Sequence, residues 1–129
     1  MEKDKNIIID TDILIKGFRG NTLIKKNVDQ LKGSISISII TALELYQDCN
    51  SEKRIILLKE QLNSYSILKI NESISDLAFE IFNEYKPEHD VRPADSFIAA
   101  TALFFDLDLY TDNKKDYQFI KGLKFYHTK

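Results

Sequence analysis

Apolar positions alternate along the chain between short unbroken runs and helical spacings. Ile7, Ile8 and Ile9 form a β-branched run ending at Asp10, the pattern of a buried parallel strand. Asp10-Thr11-Asp12 is good helix-start chemistry and predicts a short helix to Phe18, closed near Gly17 or Gly20. Leu23, Ile24, Val28 and Leu31 space a second helix, ended by Gly33. Ile35, Ile37 and Ile39, with serines between, predict a second strand running into Ile40, after which Thr41 opens a helix. Ile55, Ile56, Leu58 and Leu62 predict another helix, and Ser66 to Ile70 a third strand. Ile74, Leu77, Ala78, Ile81, Phe82 and Tyr85 give the cleanest amphipathic helix, stopped by Pro87. From Ala94 to Phe105 the chain is apolar on nearly every face, as in a helix packed on both sides, with Pro93 suited to its first turn. Leu107 to Thr111 reads as a fourth strand and Lys124 to Tyr126 as a short fifth.

Strands alternating with helices, without a tight hairpin signal between them, argue for right-handed βαβ units. The expectation is an α/β fold: a parallel sheet of four to five strands flanked by helices on both faces, as a single domain over residues 1–129.

Composition narrows the function classes. With 43% hydrophobic and 29% charged residues, the chain has the balance of an ordinary packed core. No apolar run approaches the ~18 residues needed to span a membrane, and no secretory leader is visible. The one cysteine, Cys49, cannot form an internal disulfide and reads as an inert small hydrophobe, so a cytoplasmic setting is expected. A net charge of −2 argues against binding nucleic acid through bulk positive field, though basic pairs occur at Lys25-Lys26, Lys53-Arg54 and Lys114-Lys115. Each pair reads first as a solvated helix or turn surface, with phosphate contact as the alternative.

The acids carry the chemistry. Ligands of open parallel α/β sheets bind beyond the carboxyl ends of the strands. Asp10 ends the first strand, Glu44 follows the second by one helical turn, Asp95 starts the helix that feeds the fourth, and Asp112 and Asn113 follow the fourth directly. Carboxylates gathered there without an obvious basic partner suit a hard divalent cation with oxygen ligands. Such an ion acidifies a bound water and polarises a phosphoryl oxygen. Each acid also has a plainer role. Asp10 or Asp12 could cap the first helix, Thr41-x-x-Glu44 reads as a capping box, and Asp95 could complement a helix dipole. Asp112 and Asp116 lie in a turn-like segment where acids are ordinary, and Asp12 is read as capping or facing solvent.

Four stretches in register make the sequence resemble the PIN-domain nucleases, specifically the short VapC-type toxin ribonucleases of toxin–antitoxin pairs. They are 8–15 around Asp10-Thr11-Asp12, 38–45 around Glu44, 92–103 around Asp95, and 109–117 around Thr111, Asp112 and Asn113, with Ile120 to Leu123 after it. The resemblance spans essentially the whole chain. It implies a Mg²⁺-dependent endoribonuclease, with Mn²⁺ able to substitute, that hydrolyses phosphodiester bonds of single-stranded or loop RNA. It implies Asp10, Glu44 and Asp95 as metal-binding acids and Thr111 as a shaper of the site. The family often carries a fourth acid two residues after that threonine. Here the position holds Asn113, with Asp112 and Asp116 close by, so one or two ions remain open. A homodimer and a cognate antitoxin that covers the site are implied as well.

In that mechanism Asp10 and Asp95 bind the ion, and Glu44 completes the cluster or orients the attacking water. Asp112 or Asp116 acts through water or a second ion, Thr11 supports the site, and Arg92 or Lys114-Lys115 steadies substrate phosphates. Arg92 reads equally as a surface ion pair, and His89 and His127 as structural or solvent-facing. Two alternatives stand beside it. A PIN-like module that binds RNA or protein without cutting is conceivable given Asn113. The Asp10-Thr11-Asp12 opening also resembles that of haloacid-dehalogenase-type phosphotransferases, which leaves Glu44 and the Asp95 helix unexplained.

Overall fold

A computed structural model describes residues 6–31 and 33–128. Five strands, β1 (Ile7–Ile9), β2 (Ile35–Ser38), β3 (Ser66–Leu68), β4 (Asp108–Tyr110) and β5 (Lys124–Phe125), form one sheet in the order β3-β2-β1-β4-β5. Every pairing is parallel, with Ile7 opposite Ile35 and Ile8 opposite Leu109. The chain runs outward from β1 to β3, then crosses back to β4 on the other side of β1. The order therefore reverses between β1 and β4, and a crevice opens at their carboxyl ends.

Among the described residues six helices cover the two faces: α1 (Thr11–Phe18), α2 (Thr22–Gln30), α3 (Ile39–Gln47), α4 (Glu52–Leu62), α5 (Glu72–Tyr85) and α6 (Pro93–Phe105). Adjacent β1 residues point to opposite faces and seed two cores. Ile8 packs with α5, α6, Leu109 and Tyr117, whereas Ile9 packs with α1 to α4, Ile37 and Tyr110. The small residues Ala99, Ala100 and Ala102 let α6 lie close against the sheet and α5 at once, which is why it is apolar all round. At the end of α1 it is Gly20, at φ 101°, that takes the left-handed turn, while Gly17 lies within the helix.

The second strand is shorter than expected. β2 stops at Ser38, and Ile39 and Ile40 are the first residues of α3. The Ser38 hydroxyl accepts from the Ile40 amide at 3.0 Å, so a local cap overrides the strand preference of two isoleucines. This moves Thr41 inside the helix, and the expected Thr41–Glu44 capping box does not form. A short 3-10 turn, Lys114–Asp116, also follows β4. No helix of the described residues is long and apolar enough to cross a membrane.

Candidate active site

Asp10 leaves the end of β1 and caps α1, its Oδ1 accepting from the Thr11 amide at 2.9 Å. It does more than cap. Its carboxylate is only 6% exposed, and a buried carboxylate requires further partners. The Thr111 hydroxyl, just beyond β4, donates to Asp10 Oδ2 at 2.8 Å. The Tyr117 hydroxyl lies 3.1 Å from Asp10 Oδ1 and 3.2 Å from Asp95 Oδ1. The crevice between β1 and β4 thus holds two buried carboxylates joined through one phenol. A phenol has a single proton, so it donates to one carboxylate at a time and leaves the other contact uncompensated.

Asp95, 2% exposed, stands in the first turn of α6. Arg92 Nη2 donates to its Oδ1 at 2.9 Å, and the Arg92 amide and Nε approach its Oδ2 at 3.4 and 3.3 Å. Asp95 therefore has a basic partner, which the expectation of unpartnered acids did not include and the ion-pair reading of Arg92 did. The ion pair raises the Arg92 pKa, first through the hydrogen bond to Asp95 and then through its charge, with a smaller push from Glu44. Glu44, half-buried on α3, accepts from the Thr11 hydroxyl at 2.6 Å, and Thr11 also meets the Thr41 hydroxyl at 3.0 Å. Thr11 is thereby a direct partner of one acid and the neighbour in sequence of two others.

The residues after β4 divide. Asp112 turns outward into an exposed ion pair with Lys16 at 2.8 Å. Asn113 reaches back: its amide donates to Thr111 Oγ1 at 3.0 Å and its Nδ2 to Asp12 Oδ2 at 3.0 Å. Asp116 lies in the 3-10 turn, its amide bonded to the Asn113 carbonyl, with no side-chain hydrogen bond to the other acids among the described residues.

Two residues matter more here than their sequence readings implied: Asp12, read as capping or facing solvent, and Tyr117, given no role. Asp12 is no mere solvent-facing cap, because its Oδ2 also accepts from the Asp112 amide at 3.2 Å, and its Oδ1 is buried without a hydrogen-bond partner. Its spacing from Asp10 was visible; its burial was not. Tyr117 gave no signal beyond an aromatic residue in a turn, yet it is 1% exposed and touches both central acids.

Burial chiefly, and then the charge of Asp12, pushes the Asp10 pKa up to about 7 from the usual 3.8; the Thr111 and Thr11 hydrogen bonds oppose the rise. Burial raises Asp12 as well, against the Asp112 amide that lowers it. Tyr117 is raised by burial and then by the charges of Asp10 and Asp95, so it stays a neutral donor.

No three acidic, histidine or cysteine side chains among the described residues stand in a finished ligand cluster. Glu44 is turned to Thr11 and Asp95 to Arg92. The donor set nonetheless fits a hard cation: carboxylate and hydroxyl oxygens only, two carboxylates buried close together, and one orphaned carboxylate oxygen on Asp12.

Known proteins share this fold. The PIN domain family model matches residues 7–120. "Ribonuclease VapC1" of Methanocaldococcus jannaschii is 32% identical over 130 residues, covering 98% of this chain and 91% of that protein. A toxin–antitoxin complex from Klebsiella pneumoniae contains a chain of the same fold, with TM-score 0.78, 28% identity and coverage of 95% of this chain and 99% of that one. VapBC-1 from nontypeable Haemophilus influenzae matches with TM-score 0.78 and 26% identity, over 93% of this chain and 96% of that one. With its five-stranded parallel sheet and a family match that runs from β1 past Tyr117, the chain belongs to the PIN-domain family, with VapC proteins among its relatives.

Proposed function

We propose that the chain is a Mg²⁺- or Mn²⁺-dependent endoribonuclease and the toxin of a toxin–antitoxin pair, acting as one domain over residues 1–129. The observation that carries this reading is the meeting of buried Asp10 and Asp95 on the Tyr117 hydroxyl, in the crevice where the strand order reverses. The name of the archaeal relative and the toxin–antitoxin complexes support it.

Asp10 and Asp95 would hold the ion, with Glu44 completing the set. Asp12 supplies the negative charge that Asn113 lacks at the fourth position, and Asp112 serves the rim through Lys16 rather than the centre. When bound, the ion supplies an acidified water and a charge that polarises the phosphoryl oxygen. Thr111 and Tyr117 fix the Asp10 carboxylate, so that its free lone pairs keep one direction. Thr11 fixes Glu44, which stands ready to orient the attacking water. Arg92, exposed while its partner Asp95 is buried, neutralises part of the acid charge and presents a cation to an incoming phosphate. Single-stranded or loop RNA is the accessible substrate for a crevice of this kind.

Partners follow from the surface. Leu43 on α3 and Ile55, Ile56 and Leu57 on α4 are exposed, as are Phe79, Phe104 and Phe105 on α5 and α6. Exposed apolar side chains in these numbers suit protein contacts, here an antitoxin and a second copy of the chain. Unpaired Cys49 fits a reducing, cytoplasmic setting.

The test is cleavage of RNA by the purified chain, free of partner, with Mg²⁺, with Mn²⁺ and with EDTA, beside Asp10→Ala. Metal-dependent cutting that disappears in the variant is expected. A folded protein that cuts no RNA under any of these metals refutes the nuclease reading and leaves the non-cutting binding module suggested by uncharged Asn113.

A further inference from the structure

A second feature adjoins the acids. Beyond the ends of α2 and β4 lies an open cleft of about 510 Å³, whose lining includes Asn27, Tyr110, Lys114, Tyr126 and His127. Thr111 and Asp112 also line it, so the cleft opens directly from the candidate active site. Its size falls within the range of small-molecule sites and accommodates one nucleotide.

Its chemistry is the reverse of the acid cluster. Lys114 Nζ lies 3.0 Å from His127 Nδ1. An ammonium has only protons to offer, so His127 Nδ1 is the acceptor of this contact and Nε2 carries the ring proton. The pair therefore presents the remaining ammonium protons and an imidazole N–H side by side, two kinds of donor held by one contact. Tyr126 is half-buried and packs against Tyr110 with ring centroids 5.2 Å apart, which fixes an aromatic surface at the cleft. Asn27 adds an amide, 3.5 Å from the Tyr110 hydroxyl. An ammonium and an imidazole N–H beside a fixed aromatic ring are the combination that holds a single-stranded nucleotide, phosphate on the donors and base on the ring.

We infer that this cleft is a subsite for the nucleotide next to the scissile phosphate of single-stranded RNA, with Lys114 and His127 on its phosphate and Tyr126 against its base. The inference rests on the nuclease reading for the location of the scissile bond, but its binding arm does not require cleavage. It gives His127 and Tyr126 a role, and it separates Lys114 from the other basic surface residues by its place in a cleft continuous with the acids.

The experiment measures binding of a fluorescein-labelled single-stranded RNA by anisotropy in EDTA, for the full chain and for Lys114→Ala, His127→Ala and Tyr126→Ala. Lys53→Ala, on exposed α4 and outside the cleft, controls for loss of charge alone. Each cleft variant is expected to weaken binding by on the order of tenfold, while Lys53→Ala changes it less than twofold. Lys114→Ala should also lower the slope of log affinity against log salt by about 0.7, the value for one phosphate contact to a single strand. In cleavage with Mg²⁺, Lys114→Ala and His127→Ala should raise KM and leave kcat within about twofold. Unchanged RNA binding in the cleft variants, or equal loss in Lys53→Ala, overturns the subsite while leaving any observed nuclease activity intact. Binding that depends on the cleft in a protein that cuts nothing refutes the nuclease reading and keeps the nucleotide site. Variants that bind RNA normally but lose a co-expressed antitoxin would mark the cleft as a protein contact and overturn the inference.

Discussion

Tyr117→Phe removes one oxygen and nothing else from a 1% exposed side chain, so its effect isolates the phenol that bridges Asp10 and Asp95. Both carboxylate oxygens keep another donor: the Thr11 amide on Asp10 Oδ1 and Arg92 Nη2 on Asp95 Oδ1. The loss is therefore one hydrogen bond to a charged group, about 1.5–3 kcal/mol, without a fully orphaned acceptor. For a chain of this size that lowers Tm by roughly 5–10 °C in EDTA. A cation bound to the same carboxylates neutralises the charges that the phenol had compensated, so the deficit should shrink when metal saturates the site. If it falls by about 1.4 kcal/mol, linkage requires the variant to bind metal about tenfold more tightly than the natural chain. Urea unfolding in EDTA and in saturating Mg²⁺, with calorimetric titration of Mn²⁺, measures both sides of this cycle. An equal deficit with and without metal would refute the argument, because the phenol would then be structural only and uncoupled from the ion.

Three further outcomes are expected. Glu44→Gln should lower cleavage by at least about 100-fold while changing stability by less than about 1 kcal/mol, since Ser38 rather than Thr41 caps α3; cleavage assays and urea melts separate the two. Asn113→Asp puts a carboxylate against Asp12 in place of a donor, so it should lower stability in EDTA by about 1–2 kcal/mol and tighten Mn²⁺ binding; unchanged metal affinity would place position 113 outside the cluster. The raised Asp10 pKa makes the metal-free protein lose stability as pH rises from about 4 to about 7, because the folded state still holds a proton that the unfolded chain has released. The gap between 3.8 and about 7 corresponds to on the order of 4 kcal/mol for this group, fully lost above pH 7. Urea melts across this range in EDTA should show the decline, and Asp10→Asn, which cannot titrate, should remove the Asp10 share of it and leave the part due to Asp12.

The sequence by itself determined the architecture. Unbroken Ile7–Ile9, the helical spacing of Ile74 to Tyr85 and the all-round apolar 94–105 segment admit few arrangements besides a parallel sheet between helix layers. That architecture alone places Asp10, Glu44, Asp95 and Thr111 at one sheet edge, because strand-end and helix-start positions share the carboxyl side. Only the tertiary structure decided what those side chains meet. Whether Glu44 served a cap depended on Ser38 ending β2 two residues early, a contest between one hydroxyl–amide bond and two isoleucines that periodicity cannot resolve. Whether Asp112 or Asp12 faced inward depended on Lys16 and Asn113, each roughly 100 residues away in the chain from its partner. The Tyr117 phenol reaches Asp10 across 107 positions, and no local pattern records a contact made by folding the two ends of a chain onto one crevice.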